Sequence, residues 1–161
     1  MRIGVISDTH MPRSAERLPE KICEDFKNVD LILHAGDLTE MDVLTMLEKI
    51  APVKAVYGNM DDPVVQKSLP FKEIVEAGKC RIGLIHGFGP AFGLAEKIMN
   101  EFKDAKVNAI VFGHTHTPKM EVKNGILLFN PGSPTDKIFA RFNSYGILKI
   151  NDTIEGEIIK L

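Results

Sequence analysis

Five short apolar runs, each delivering a carboxylate, amide or imidazole at its end, constrain this chain more than any other feature. Ile3-Gly4-Val5-Ile6 runs into Ser7-Asp8-Thr9-His10, and Val29 to Leu33 runs into His34-Ala35-Gly36-Asp37. Val53 to Tyr57 leads to Gly58-Asn59, Arg81 to Ile85 leads to His86-Gly87, and Ala109 to Phe112 leads to Gly113-His114-Thr115-His116. Short apolar runs with β-branched residues and turn signals at their ends read as buried strands. Between them lie helical patterns: Ile22, Cys23 and Phe26 behind Pro19; Val43, Leu44, Leu47 and Ile50 closed by Pro52; and Leu94, Ile98 and Phe102. Thr39-Glu40-Met41-Asp42 reads as a capping box opening the second of these.

After residue 118 the pattern changes. Asn124-Gly125 between Lys119–Val122 and Ile126–Phe129 is a strong hairpin signal. Lys137–Phe142, Tyr145–Ile150 and Thr153–Leu161 read as further short strands, so the tail is expected to be an antiparallel meander. Asn130-Pro131-Gly132-Ser133 is a turn-rich break within it. No linker or repeat divides the chain, and residues 1–161 are expected to form a single domain.

The gross numbers exclude several classes. A net charge of −2, no tryptophan and 7% aromatic residues argue against bulk nucleic-acid binding. No apolar run reaches the length of a membrane span, and the first one is too short for a secretory leader. Cys23 and Cys80 stand apart and read as buried, reduced thiols. A cytoplasmic protein is the expectation.

Asp8, His10, Asp37, Asn59, His86, His114 and His116 all follow strand ends, and α/β sheets gather their ligands at the carboxyl ends of strands. Four of the five histidines fall in this set. His34, just ahead of Asp37, reads as a structural, hydrogen-bonded histidine. In Asp8-x-His10 and His114-x-His116 the i, i+2 spacing points both side chains the same way if the backbone stays extended. Seven donors exceed the three protein ligands of one catalytic zinc and suit two cations sharing a carboxylate, with Asp37 the expected bridge. Arg13 and Arg17 read as solvated charges, with contact to an anionic substrate as the other reading.

In their order and spacing, Asp8-x-His10, Gly36-Asp37, Gly58-Asn59, His86 and Gly113-His114-x-His116 resemble the five blocks of the calcineurin-like metallophosphoesterases. The short chain is most similar to the small bacterial and archaeal phosphodiesterases of that family, and Asn130-Pro131-Gly132-Ser133 resembles a further family element. The resemblance implies an α/β fold, a four-layer αββα sandwich of two mixed sheets flanked by helices. It implies that one metal is held by Asp8, His10, Asp37 and His116, and a second by Asp37, Asn59, His86 and His114, with Asp37, Asn59 and His86 serving catalysis and Asn59 also steadying the phosphate. The expected activity is hydrolysis of a small-molecule phosphodiester by water activated at two divalent ions. Manganese is the leading choice, and iron, cobalt, nickel and zinc also suit the donors. Much of the family has a histidine after the asparagine that protonates the leaving group. This chain has Met60 there, and Asp61 and Asp62 read as turn or cap residues. A thioether cannot act as an acid, which favours leaving groups that depart easily or are protonated by another residue. The alternative is a non-catalytic interaction scaffold of the same fold; a two-zinc hydrolase of the β-lactamase type lacks its His-x-His-x-Asp-His signature. The β-rich tail would offer a second copy of the chain an edge to pair with.

Overall fold

The computed structural model describes residues 1–161 and contains two five-stranded mixed sheets. The first sheet has the order β10-β9-β1-β2-β3, formed by β1 (Arg2–Ile6), β2 (Leu31–His34), β3 (Val53–Ala55), β9 (Ser144–Ile150) and β10 (Ile154–Lys160). The second has the order β4-β5-β6-β8-β7, formed by β4 (Lys72–Ala77), β5 (Cys80–Ile85), β6 (Ala109–Val111), β7 (Lys119–Lys123) and β8 (Ile126–Asn130). β1, β2 and β3 run parallel, as do β5, β6 and β8, while β9 pairs antiparallel with β1, β10 with β9, β4 with β5 and β7 with β8.

Alternation along each strand builds the layers. Ile3, Val5, Leu33, Ile82, Leu84, Ala109, Val111, Phe129 and Leu148 meet in one core between the sheets. The opposite faces turn outward. Ile32, Tyr145 and Ile147 pack on α1 (Glu20–Phe26), α2 (Asp42–Glu48) and α3 (Pro63–Ser68) through Ile22, Phe26, Leu47 and Val65. Ile110 and Leu128 pack on α4 (Leu94–Glu101) through Leu94 and Ile98. Each fully buried aliphatic side chain of this kind contributes roughly 1.5–3 kcal/mol. The result is the four-layer αββα sandwich.

Three local expectations fail. The tail is not one meander: β7 and β8 complete the second sheet, whereas β9 crosses back to the first and pairs with β1, with β10 pairing on its other side. Lys137–Phe142 is not a strand, because the Asp136 carboxylate accepts the amides of Ile138, Phe139 and Ala140 and coils that segment around itself. The capping box does not form. The α2 N-terminus has no side-chain cap, and the Thr39 hydroxyl is buried without a partner while the Thr39 amide donates to Asp61 Oδ1 at 2.6 Å. The Asn124-Gly125 hairpin forms as read, with φ of 52° and 78°. Both cysteines are free: Cys80 is buried and Cys23 half-buried. No helix is long and apolar enough to cross a membrane.

Candidate metal centre

The parallel strands of both sheets deliver their following loops to one place, and those loops continue to bond each other past the strand ends. The Asp8 amide donates to Gly36 O at 3.0 Å, His10 N to Asp37 O at 3.0 Å, and Gly113 N to His86 O at 3.0 Å. All seven donors come together there. His114 Nδ1 lies 3.0 Å from Asn59 Oδ1, His10 Nε2 3.2 Å from His116 Nε2, His86 Nε2 3.3 Å from Asp37 Oδ2, and His116 Nε2 3.4 Å from Asp8 Oδ1. His10 Nε2 is also 3.7 Å from Asp37 Oδ2, and His86 Nε2 is 4.0 Å from Asp8 Oδ1. Asp8, His10 and His116 form one group able to hold an ion; Asp8, Asp37 and His86 form another.

The route to convergence differs from the expected one. Asp8, His10, Asp37, His114 and His116 have φ between 44° and 72°, in the left-handed region. The i, i+2 pairs therefore meet through tight turns rather than along extended backbone. Non-glycine residues in this region cost of order 1–3 kcal/mol each and persist only where the surroundings hold them, which is typical of ligand sites. Two glycines make room. A Cβ on Gly58 would strike Asp37 Oδ1 and lie 2.6 Å from the Asp37 amide nitrogen; one on Gly113 would strike Ser7 Oγ and lie 2.6 Å from Asp8 Oδ2.

Each imidazole with a mapped outer contact turns one nitrogen away from the centre and the other into it. His86 Nδ1 donates to Ala35 O at 2.7 Å, and His114 Nε2 donates to Gly89 O at 2.7 Å. Carbonyls only accept, so these nitrogens carry the hydrogens and leave lone pairs on His86 Nε2 and His114 Nδ1. His86 Nε2 is buried without an aligned hydrogen-bond partner. In the neutral tautomer its lone pair would face carboxylates, and His114 Nδ1 would face Asn59 Oδ1 at 3.0 Å, acceptor against acceptor. A proton or a metal ion between the groups relieves that opposition, and the residues fit divalent metal.

His116 is held by a residue that sequence reasoning missed. Its Nδ1 donates to Asp136 Oδ2 at 2.5 Å, which aims Nε2 inward. Asp136 stands three residues beyond the turn-rich Asn130–Ser133 element; that proximity was the only signal. The same element is built into the centre: Asn130 Nδ2 donates to Gly113 O, and Ser133 Oγ to Asp8 O. Asp61 is structural. Its carboxylate accepts the amides of Asp37, Thr39 and Gly58, while burial pushes its pKa up. Asp62 pairs with Arg13 at 3.0 Å. His34 is fully buried, accepting from the Gly36 amide and donating to Thr9 Oγ1, and burial brings its pKa down to about 4.

Protons hold the centre together when no cation is bound. Burial lowers the His86 pKa, but Asp37 and Asp8 outweigh it and push it up to about 9. Burial also opposes His116 protonation, yet Asp8 and Asp136 raise its pKa to about 9. Burial pulls Asp136 up, but His116 and three amides bring it down to about 2. At pH 7 both imidazoles are therefore charged before metal arrives, and an incoming cation must displace their protons. Metal uptake at pH 7 is expected to release about two protons, and apparent affinity should climb with pH up to about 9. Calorimetric titration in buffers of different ionisation enthalpy measures the count; uptake without proton release would contradict the assignment.

The two-sheet sandwich and a carboxylate–imidazole cluster at its parallel strand ends define a phosphoesterase-type scaffold with a candidate metal centre. Residues 1–153 match the calcineurin-like phosphoesterase superfamily domain, and the chain belongs to that family. A probable metallophosphoesterase of Methanocaldococcus jannaschii is 40% identical over all of this chain and 82% of its own length. The structure of a novel archaeal phosphodiesterase superposes with a TM-score of 0.79 at 25% identity, covering 100% of both chains. Vps29 of Chaetomium thermophilum, at 20% identity and a TM-score of 0.79 over 100% of this chain and 97% of its own, shares the fold alone.

Proposed function

We propose that this chain is a metal-dependent phosphodiesterase with a dinuclear centre. Asp8, His10, Asp37 and His116 hold one cation; Asp37, Asn59, His86 and His114 hold the other. The observation that carries this reading is the set of ring nitrogens that buried or half-buried imidazoles aim inward around Asp37. Asp37 is the better bridge of the two carboxylates. Its Oδ1 is taken by the Met60 amide at 2.7 Å, leaving Oδ2 free between His86 and His10. Both Asp8 oxygens instead accept from the His114 amide, at 3.2 and 3.1 Å.

Cations bound here supply an acidified water and neutralise charge on the phosphoryl oxygens, with manganese the leading candidate. The protein's part is orientation. Ala35 O, Gly89 O and Asp136 fix the imidazoles, and the Asn59 amide stands where metal and phosphate would meet. No acid replaces the missing histidine: Asp61 is engaged by three amides, Asp62 by Arg13, and the Met60 side chain lines the cleft. Phosphodiesters with acidic alcohols as leaving groups are therefore the favoured substrates. The convergence of donors supports an enzyme over a non-catalytic scaffold, and the archaeal phosphodiesterase relative supports diesters over monoesters.

The test is hydrolysis of bis(p-nitrophenyl) phosphate with manganese and after complete chelation. Loss of activity on chelation and recovery on adding metal is expected. Turnover that survives metal removal would refute the reading.

A further inference from the structure

The donor cluster opens into a cleft of about 470 Å³, in which three large apolar side chains stand among polar ones. Ile138 and Phe139 line it with 82% and 76% of their surfaces exposed, and Met60 lines it half exposed. These side chains do not sit on a loose tail. The amides of Ile138, Phe139 and Ala140 are tied to the Asp136 carboxylate, which also holds His116. The Phe139 ring stands near-perpendicular to the His116 imidazole with centroids 6.0 Å apart. An anchored loop thus presents two large apolar side chains to water, one ring-width from a metal-ligand candidate. Apolar surface held open in this way marks a contact site.

From this we propose that Phe139, with Ile138 beside it, is a stacking platform for a flat ring carried by a substituent of the phosphoryl group, so that the substrate class is aryl or nucleoside phosphodiesters rather than small alkyl ones. The inference rests on the phosphodiesterase reading and narrows it. A phosphoryl group seated at His116 and Asn59 places its substituent within reach of the Phe139 ring, whereas a methyl or ethyl ester would leave the ring uncovered. Arg13, the one arginine or lysine lining the cleft, is paired with Asp62 at 3.0 Å, so beside Phe139 the rim offers ring surface. Base–aromatic stacking is sequence-tolerant and strong enough to set affinity. The absence of an acid at Met60 favours the aryl members of this class as leaving groups, because phenolates need no protonation.

The test compares phenylphosphonate and methylphosphonate, whose carbon–phosphorus bonds resist hydrolysis, by calorimetric titration of manganese-loaded protein. Hydrolysis of bis(p-nitrophenyl) phosphate is followed in parallel. Wild-type protein should prefer the phenyl ligand by about tenfold or more. Phe139→Ala should collapse that ratio toward unity, and Phe139→Trp should preserve it. As Phe139 is on the surface, both variants are expected to fold, which circular dichroism checks. Equal affinity for the two ligands in wild type, or a preference that survives Phe139→Ala, would overturn the platform. So would a dimer in sedimentation that Phe139→Ala dissociates, since the ring would then cover a second copy of the chain. Ring preference without turnover of any diester would sink the phosphodiesterase reading and leave the platform standing; turnover without ring preference would do the reverse.

Discussion

Replacing Asp37 by Ala is expected to lower phosphodiester hydrolysis by at least about a thousandfold, the upper range for loss of one group that stabilises developing charge. Asp37 Oδ2 is the oxygen nearest His86 Nε2 and also faces His10 Nε2, so it is the point where two coordination spheres would join. Removing it also frees the Met60 amide and strips His86 of the carboxylate that most raises its pKa. His86 should then titrate lower, and metal uptake should release fewer protons. Steady-state kinetics and calorimetry on a variant shown to fold by circular dichroism measure both effects. Near-normal turnover in Asp37→Ala would mean that the centre does not depend on a bridging carboxylate.

Gly113→Ala is the second substitution with a large expected effect, and it adds only a methyl group. Its Cβ would collide with Ser7 Oγ and press within 2.6 Å of Asp8 Oδ2. Ser7 and Asp8 are fully buried, so neither can swing aside into solvent. Overpacking of this kind costs about 1–3 kcal/mol, and here the strain falls on a candidate metal ligand. Thermal denaturation should show a lower midpoint, and metal affinity should fall by at least about tenfold, the scale on which supporting contacts act. Wild-type affinity in a destabilised Gly113→Ala protein would show that Asp8 can shift without consequence.

Much of the candidate site was legible because its proposed donors sit at strand ends, where periodicity and turn residues are easiest to read. Asp8, Asp37, His86 and His114 each follow a run whose burial is plain from composition alone, and the Asn124-Gly125 turn announces its hairpin. What was hidden depends on three-dimensional context. Nothing local tells that Asp8, His10, Asp37, His114 and His116 adopt left-handed backbone, since that conformation is imposed by loops bonding across sheets. Asp136 was hidden because its value lies in reaching His116, twenty residues away in the chain. Lys137–Phe142 has the composition of a strand, yet three amides satisfied by one carboxylate remove the need for a partner strand. The division of the tail between two sheets was hidden for a similar reason: β8 and β9 are similar in pattern, and only the core each one faces separates them.

The central claim is that seven side chains from two sheets enclose a pair of cations. A crystal structure of protein soaked in manganese, with anomalous diffraction to locate the metal, tests it most directly. Two peaks about 3.5–4 Å apart with Asp37 between them are predicted. A single peak, or none with the seven donors in place, would contradict the account.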